Sequence, residues 1–134
     1  MKISKNEPFT NDTMIGSGGI LYALTNKTTR TDEDGNIFHE ADAIEIQNTA
    51  DAPKAIKKFL LDNLKVTTTA GNTFDGHESA RNNMMSALMA AELLNETSTN
   101  WKLADNTVAV VTVPELKEAL ALAIAAAGEV VLNA

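Results

Sequence analysis

Four groups of residues in this chain have types and spacings that could do chemistry. Asp32, Asp34, Gly35 and Ile37 coincide with the third, fifth, sixth and eighth positions of a calcium loop, where oxygens and a sharp glycine turn surround a hard cation. Arg30 and Ala41 occupy the first and twelfth positions, so the two most demanding ligands are missing, and Thr31–Asn36 reads as an acidic, solvated turn. His39-Glu40 lacks the second histidine of a zinc helix, and His77 is the one other imidazole. Gly16-Ser17-Gly18-Gly19 lacks the Lys-Ser/Thr of a phosphate loop and precedes a strand, which makes it a joint. Asp75, His77 and Ser79 are neighbours at one helix start, where such residues cap backbone amides; a catalytic triad needs partners that converge from separate segments. The expectation is a chain with no catalytic residue, no metal and no cofactor.

Two further groups are suited to contact. Met84, Met85 and Met89 could make an adaptable partner surface, although their helical spacing favours a core stripe. Trp101 could anchor a hairpin to the core or, where exposed, act as an interface hot spot.

The elements that position these residues fall into three zones. Residues 1–19 are polar and broken by Pro8 and the glycine cluster, so they read as an extended arm. Within it Phe9, Met14 and Ile15 have no evident local core. Residues 20–50 read as β structure: Ile20–Leu24 is a short apolar strand, Ile37-Phe38 starts a return, and Ala43–Gln47 alternates. The polar stretch from Asn26 to Asn36 reads as a surface loop between them.

Residues 51–134 are mainly helical. Asp51 and Pro53 open a helix whose apolar face holds Ile56, Phe59, Leu60 and Leu64. Two strand–turn–strand–helix units follow, over Val66–Asn95 and Trp101–Ala127, with Ala70–Phe74 matching Ala104–Val108 at an offset of 34 residues. Thr112 and Glu115 have capping-box spacing, Pro114 suits a first turn, and Gly128 sits where a left-handed cap would end the last helix. Rows at Met84/Leu88/Ala91 and Leu116/Leu120/Ile124 should pack on each other. The fold class is α+β, with β-hairpins packed on a small helical bundle and an extended N-terminal arm.

Composition narrows the function. A chain of 134 residues can bury a real core, yet only 4% of it is aromatic, leaving few large side chains to line a pocket. The net charge of −7 opposes binding to nucleic acid or an anionic membrane, because both need clustered Lys and Arg. Cysteine is absent, which removes disulfides, thiolate zinc sites and thiol nucleophiles. The first residues hold no apolar run of signal-peptide length, so the expectation is a soluble chain not exported by the general pathway.

The segment W-K-L-A-D-N-T-V-x-x-V-T-x-x-E-L-K-E-A-L-A-L-A from Trp101 is preceded by T-F-D-G-H-E-S-A-R-N-N-M from Thr73 and a helix rich in Met, Ala and Leu. Over about residues 65–127 it resembles a domain family of unknown function found in tailed bacteriophages, encoded among tail and tail-fibre genes. Phe74, Asp75, Glu78, Met84, Trp101, Leu103, Asp105, Glu115 and Leu116 fall on the motif. The resemblance implies a virion tail protein of the fibre or receptor-binding apparatus, present in the host cytoplasm during assembly, with no catalytic residues to carry over. The alternative is a tail-fibre assembly chaperone that leaves the finished particle. Partner contact is expected at Phe9, Met14, Ile15 and Trp101, against other tail or fibre proteins or a second copy of this chain. A glycan-cleaving enzyme would need paired carboxylates in a cleft and aromatic platforms, which this composition does not favour.

Overall fold

The computed structural model describes residues 1–133, which divide into two compact units, Met1–Phe59 and Leu60–Asn133. The first unit is built on an antiparallel sheet. Strands β1 (Lys2–Lys5), β2 (Thr13–Ile15), β3 (Leu21–Thr31) and β4 (Ile37–Glu45) lie in the order β1-β4-β3-β2. Strand alternation gives this sheet two apolar faces. Ala23 and Ile46, with Leu21 and Ile44, face helix α1 (Ala52–Asp62), which covers them with Ala52, Ala55 and Ile56. Leu24, Ala41 and Ala43 point the other way and pack with Ile3, Met14 and Tyr22 on the same face of neighbouring strands and with Phe9 from the β1–β2 connection.

That second face explains why residues 1–19 are not the extended arm that their polar composition suggests. The N-terminal segment adds Ile3, Phe9 and Met14 to the apolar cluster on that face. Ile3 pairs with Ala41 and Met14 with Tyr22, so the segment contributes both edge strands and is part of the unit's own core. Strand β3 also runs further than its apolar residues do. Thr28, Thr29, Arg30 and Thr31 pair with Glu40, His39, Phe38 and Ile37, leaving only a short turn where a long surface loop was expected. Threonine is β-branched, and a strand with polar residues on both faces shows no apolar signal.

The second unit contains two hairpin–helix repeats. Strands β5 (Lys65–Thr67) and β6 (Thr73–Asp75) lead into α2 (Glu78–Leu94), and strands β7 (Ser98–Lys102) and β8 (Val108–Thr112) lead into α3 (Val113–Asn133). Their shared core holds Phe74, Met84, Val111 and Leu116, all fully buried, closed off by Ala119 and Ala123. The small side chains let α2 and α3 approach closely, as the alanine content suggests. The α3 row facing the core is Leu116, Ala119, Ala123 and Ala127, with Leu120 half-buried. Ile124 is 54% exposed and so stands outside the row that sequence spacing assigned to it.

One turn recurs in both units. At Gly16–Ile20, Asp32–Asn36, Thr68–Asn72 and Leu103–Thr107 the first amide donates to the fifth carbonyl, and the fourth amide donates to the first carbonyl. The fourth residue has positive φ each time: Gly19 (76°), Gly35 (83°), Gly71 (91°) and Asn106 (69°). At the last three this is a type I turn closed by a left-handed residue, which glycine and asparagine tolerate best; the Gly16 turn differs, because Gly18 also has positive φ (75°), the geometry of a type II turn. The geometry makes Gly71 equivalent to Asn106, so the two repeats stand 35 positions apart, one more than the sequence match suggests.

Helix α2 ends on Asn95 in the left-handed conformation (φ 55°), where the Glu96 amide reaches the Ala91 carbonyl. Helix α3 does not end at Gly128 but continues to Asn133. A mid-helix glycine costs about 1 kcal/mol relative to alanine, a cost set against the alanine-rich turns that precede it.

Candidate docking site

The residues singled out for chemistry serve local structure. Asp32 Oδ1 accepts from the amides of Asp34 (3.0 Å) and Asn36 (2.9 Å), while Oδ2 accepts from Asn36 Nδ2 (3.2 Å). The Asn36 amide is the main reason the Asp32 carboxyl sits below its ordinary pKa. Both oxygens of Asp32 therefore hold its own turn. His39 lies on β4 with Nδ1 3.4 Å from Thr29 Oγ1. His77 caps α2, its Nδ1 accepting from the Ala80 amide at 3.2 Å. Asp75 pairs with Lys65 at 3.9 Å, and among the described residues no three His, Asp or Glu side chains converge as metal ligands.

The residues expected to meet a partner divide between inside and outside. Phe9 is half-buried against Leu24, Ala41 and Ala43, with the Lys5 ammonium 4.7 Å from its ring centroid. Met14 packs in the same cluster, while Ile15 is 71% exposed. Of that trio Ile15 is the most exposed. Trp101 stands opposite Ala109 on the inner face of its hairpin and packs against the core of the second unit. It is a core anchor, because the alternation that places Val111 in the core places Trp101 there too.

The outward apolar groups are different residues. Val108 and Val110, on the other face of β8, are 69% and 71% exposed. On α2, Met84 is fully buried while Met85, Met89 and Leu93 form an exposed row at helical spacing. On α3 the exposed groups are Leu122, Ile124, Val131 and Leu132. The signal for these was present in the sequence. T-V-A-V-V-T alternates two apolar faces, and α3 is apolar around most of its circumference, more than one core-facing stripe requires.

What holds these surfaces in place is a polar latch. Thr112 Oγ1 accepts the Glu115 amide at 3.2 Å, which is half of a capping box. The Glu115 carboxylate does not close the box; it accepts from Thr68 Oγ1 (2.9 Å) and Asn72 Nδ2 (2.8 Å) in the first hairpin's turn. One turn of helix later, Glu118 accepts the amide and hydroxyl of Thr69 at 3.0 and 2.9 Å. The Ala104 amide donates to the Thr73 carbonyl at 2.9 Å, stitching the two hairpins. Beside that stitch lies an open cleft of about 450 Å³ bordered by Lys65, Asn72, Thr73 and Asp105. Asp105 Oδ1 already accepts from the amide and hydroxyl of Thr107. The arrangement offers shape and apolar area.

Among the described residues, no helix is long and apolar enough to cross a membrane. The model of one protein family, described as Domain of unknown function (DUF4376), matches residues 40–134. The match begins within β4 and includes α1 as well as both hairpin–helix repeats, and so starts earlier than the resemblance at residues 65–127. No curated protein and no solved structure matches the chain.

Proposed function

Since this chain belongs to the DUF4376 family, we propose that its role is non-enzymatic docking as a component of a bacteriophage tail, in the fibre or receptor-binding apparatus. The tail setting rests on the resemblance carried by the Trp101 hairpin and the Glu115–Leu120 helix start. The docking mode rests on one observation: the second unit turns Val108, Val110, Met89 and Leu93 to solvent although its own core is already closed. Burying such side chains stabilises an assembly by roughly 1.5–3 kcal/mol each, and a partner that covers several of them is held without any charged contact.

Mass spectrometry of purified virions tests the setting. Stoichiometric presence in the particle supports a structural part. Recovery with the fibre protein from infected cells but absence from the particle replaces this reading with the assembly chaperone. Absence from both overturns the tail reading. The docking mode is tested separately with Val110→Lys and Met89→Lys, which replace exposed side chains. Both should leave the thermal midpoint within about 1 °C and reduce incorporation at least tenfold. Normal incorporation of both variants would show that these surfaces are not the docking site.

A further inference from the structure

The outward face of α3 has a regularity that the chain's own packing does not explain. Lys117, Ala121, Ile124, Gly128 and Val131 follow one another at spacings of four, three, four and three, the repeat of a helix seam made to meet a second helix. All five are exposed, with Ile124 at 54% and Val131 at 55%. From Ala119 to Gly128 the helix carries no charged residue. Gly128 sits in mid-helix, where glycine is disfavoured, and a Cβ built there would meet nothing within 4 Å. Nothing within the chain requires a glycine there, whereas a helix crossing closely at that point would.

Charge identifies the occupant. Lys117 is a cation in the first turns of α3, the positive end of the helix dipole, where it is unfavourable. The last turn has no basic residue, so the negative end is left without a cation. A second copy of α3 laid antiparallel across the first corrects both. With the two-fold axis near Ile124, Lys117 of each copy meets the other's C-terminal turn, and Ala121 of each faces Gly128 of the other. A parallel pairing would bring like ends together. The seam thus carries its own complement, as a two-fold interface must. The uncharged strip is also where two acidic chains approach with least repulsion.

We infer that this face of α3 is a self-association surface, on which two copies of the chain pair antiparallel through Ala121, Ile124, Gly128 and Val131. The strip is about 21 Å long and roughly 10 Å wide, so each copy buries a few hundred Å², below the roughly 800 Å² per partner of a standard interface. The dimer is therefore weak, with a dissociation constant in the micromolar range. This surface is distinct from the Val110 and Met89 faces, so the inference stands or falls independently of the tail reading.

Sedimentation equilibrium of the purified full chain tests it. The weight-average mass should rise from 14.3 kDa toward twice that value between about 1 and 500 μM. Ile124→Lys should hold the protein at the monomer mass, and so should Gly128→Leu, which improves helix propensity while blocking close approach. Circular dichroism should show both variants folded. Because the chain has no cysteine, orientation can be read directly. A mixture of Ala121→Cys and Gly128→Cys chains should give the mixed disulfide far faster than either chain links to itself. A monomer across the whole range overturns the inference, as it would if another protein or another part of the chain covers the seam. A dimer that survives both Ile124→Lys and Gly128→Leu, or preferential Ala121→Cys self-linking, overturns it as well.

Discussion

Thr68 Oγ1 donates to Glu115 Oε1 at 2.9 Å across 47 positions of sequence, and Thr68 is the one buried polar residue among the described residues. The same carboxylate receives Asn72 Nδ2 at 2.8 Å, so a single helix-start residue fixes the first hairpin against the second repeat. Glu115→Ala leaves the Thr68 hydroxyl only its longer contact to the Asn72 carbonyl (3.4 Å) and removes the acceptor of Asn72 Nδ2, at a cost of about 1–3 kcal/mol. Glu115→Gln keeps one acceptor oxygen and should cost less than half as much. Urea denaturation of the two variants measures the difference. Equal losses would show that helix-start charge, and not the Thr68 bond, is what Glu115 contributes.

Acid should loosen the first unit through Asp42. Its carboxyl accepts from Asn26 Nδ2 at 2.8 Å and lies 3.0 Å from the Lys2 ammonium. The Asn26 hydrogen bond is the largest cause of a pKa lowered from 3.8, helped by Lys2 and opposed by partial burial. A carboxyl with a depressed folded pKa adds stability that is complete above its unfolded value and disappears as pH falls through its folded value. Stability at pH 6 should therefore exceed that at pH 2.5, and Asp42→Asn should flatten this part of the profile. Asp32 and Asp105, also lowered, act in the same direction. Denaturation midpoints between pH 2 and 6 check the slope. An unchanged slope in Asp42→Asn would assign the acid sensitivity to other groups.

Met14 and Ile15 are neighbours on β2 with opposite surroundings, the first packed among Leu24, Ala41 and Ala43 and the second 71% exposed. Met14→Ala should destabilise the protein by roughly 1–3 kcal/mol, while Ile15→Ala should stay within about 0.5 kcal/mol. Removing residues 2–15 takes away both edge strands and should abolish cooperative unfolding of the first unit. A truncated chain with an unchanged thermal midpoint would mean that the N-terminal segment adds nothing to that core.

The C-terminal repeats were legible in the sequence because their signals are local. The turn at Leu103–Thr107 and the Thr112 cap follow from residues within a few positions of one another, whereas β7 starts at Ser98, three positions before Trp101. The N-terminal sheet was not legible, for a physical reason. Ile3, Phe9 and Met14 are isolated apolar residues in a polar stretch, and their partners Ala41 and Leu24 are distant in sequence. Pairing between distant strands leaves little local trace, and the threonines of β3 hide its length. At the candidate site, Trp101 drew attention as a rare large residue, but alternation along its hairpin decides which way it points. Val108 and Val110 alternate with Ala109 and Val111, so the sequence shows two apolar faces on β8 without saying which of them turns to solvent.

The same distinction governs α3, where Leu116 is fully buried and Ile124, eight positions on, is 54% exposed. Leu116→Ala should cost about 2–5 kcal/mol, since it opens a cavity in the core cluster that also holds Met84 and Phe74. Leu120→Ala, half-buried, should fall between the two. Ile124→Ala should change the stability of the monomer by less than about 0.5 kcal/mol, as surface changes do. The measurement is thermal or chemical denaturation at protein concentrations low enough to keep the chain monomeric. Comparable losses at Leu116 and Ile124 would mean that α3 is rotated about its axis from the orientation described. Ile124 would then lie in the core, and the seam through Ala121 and Gly128 would not face solvent.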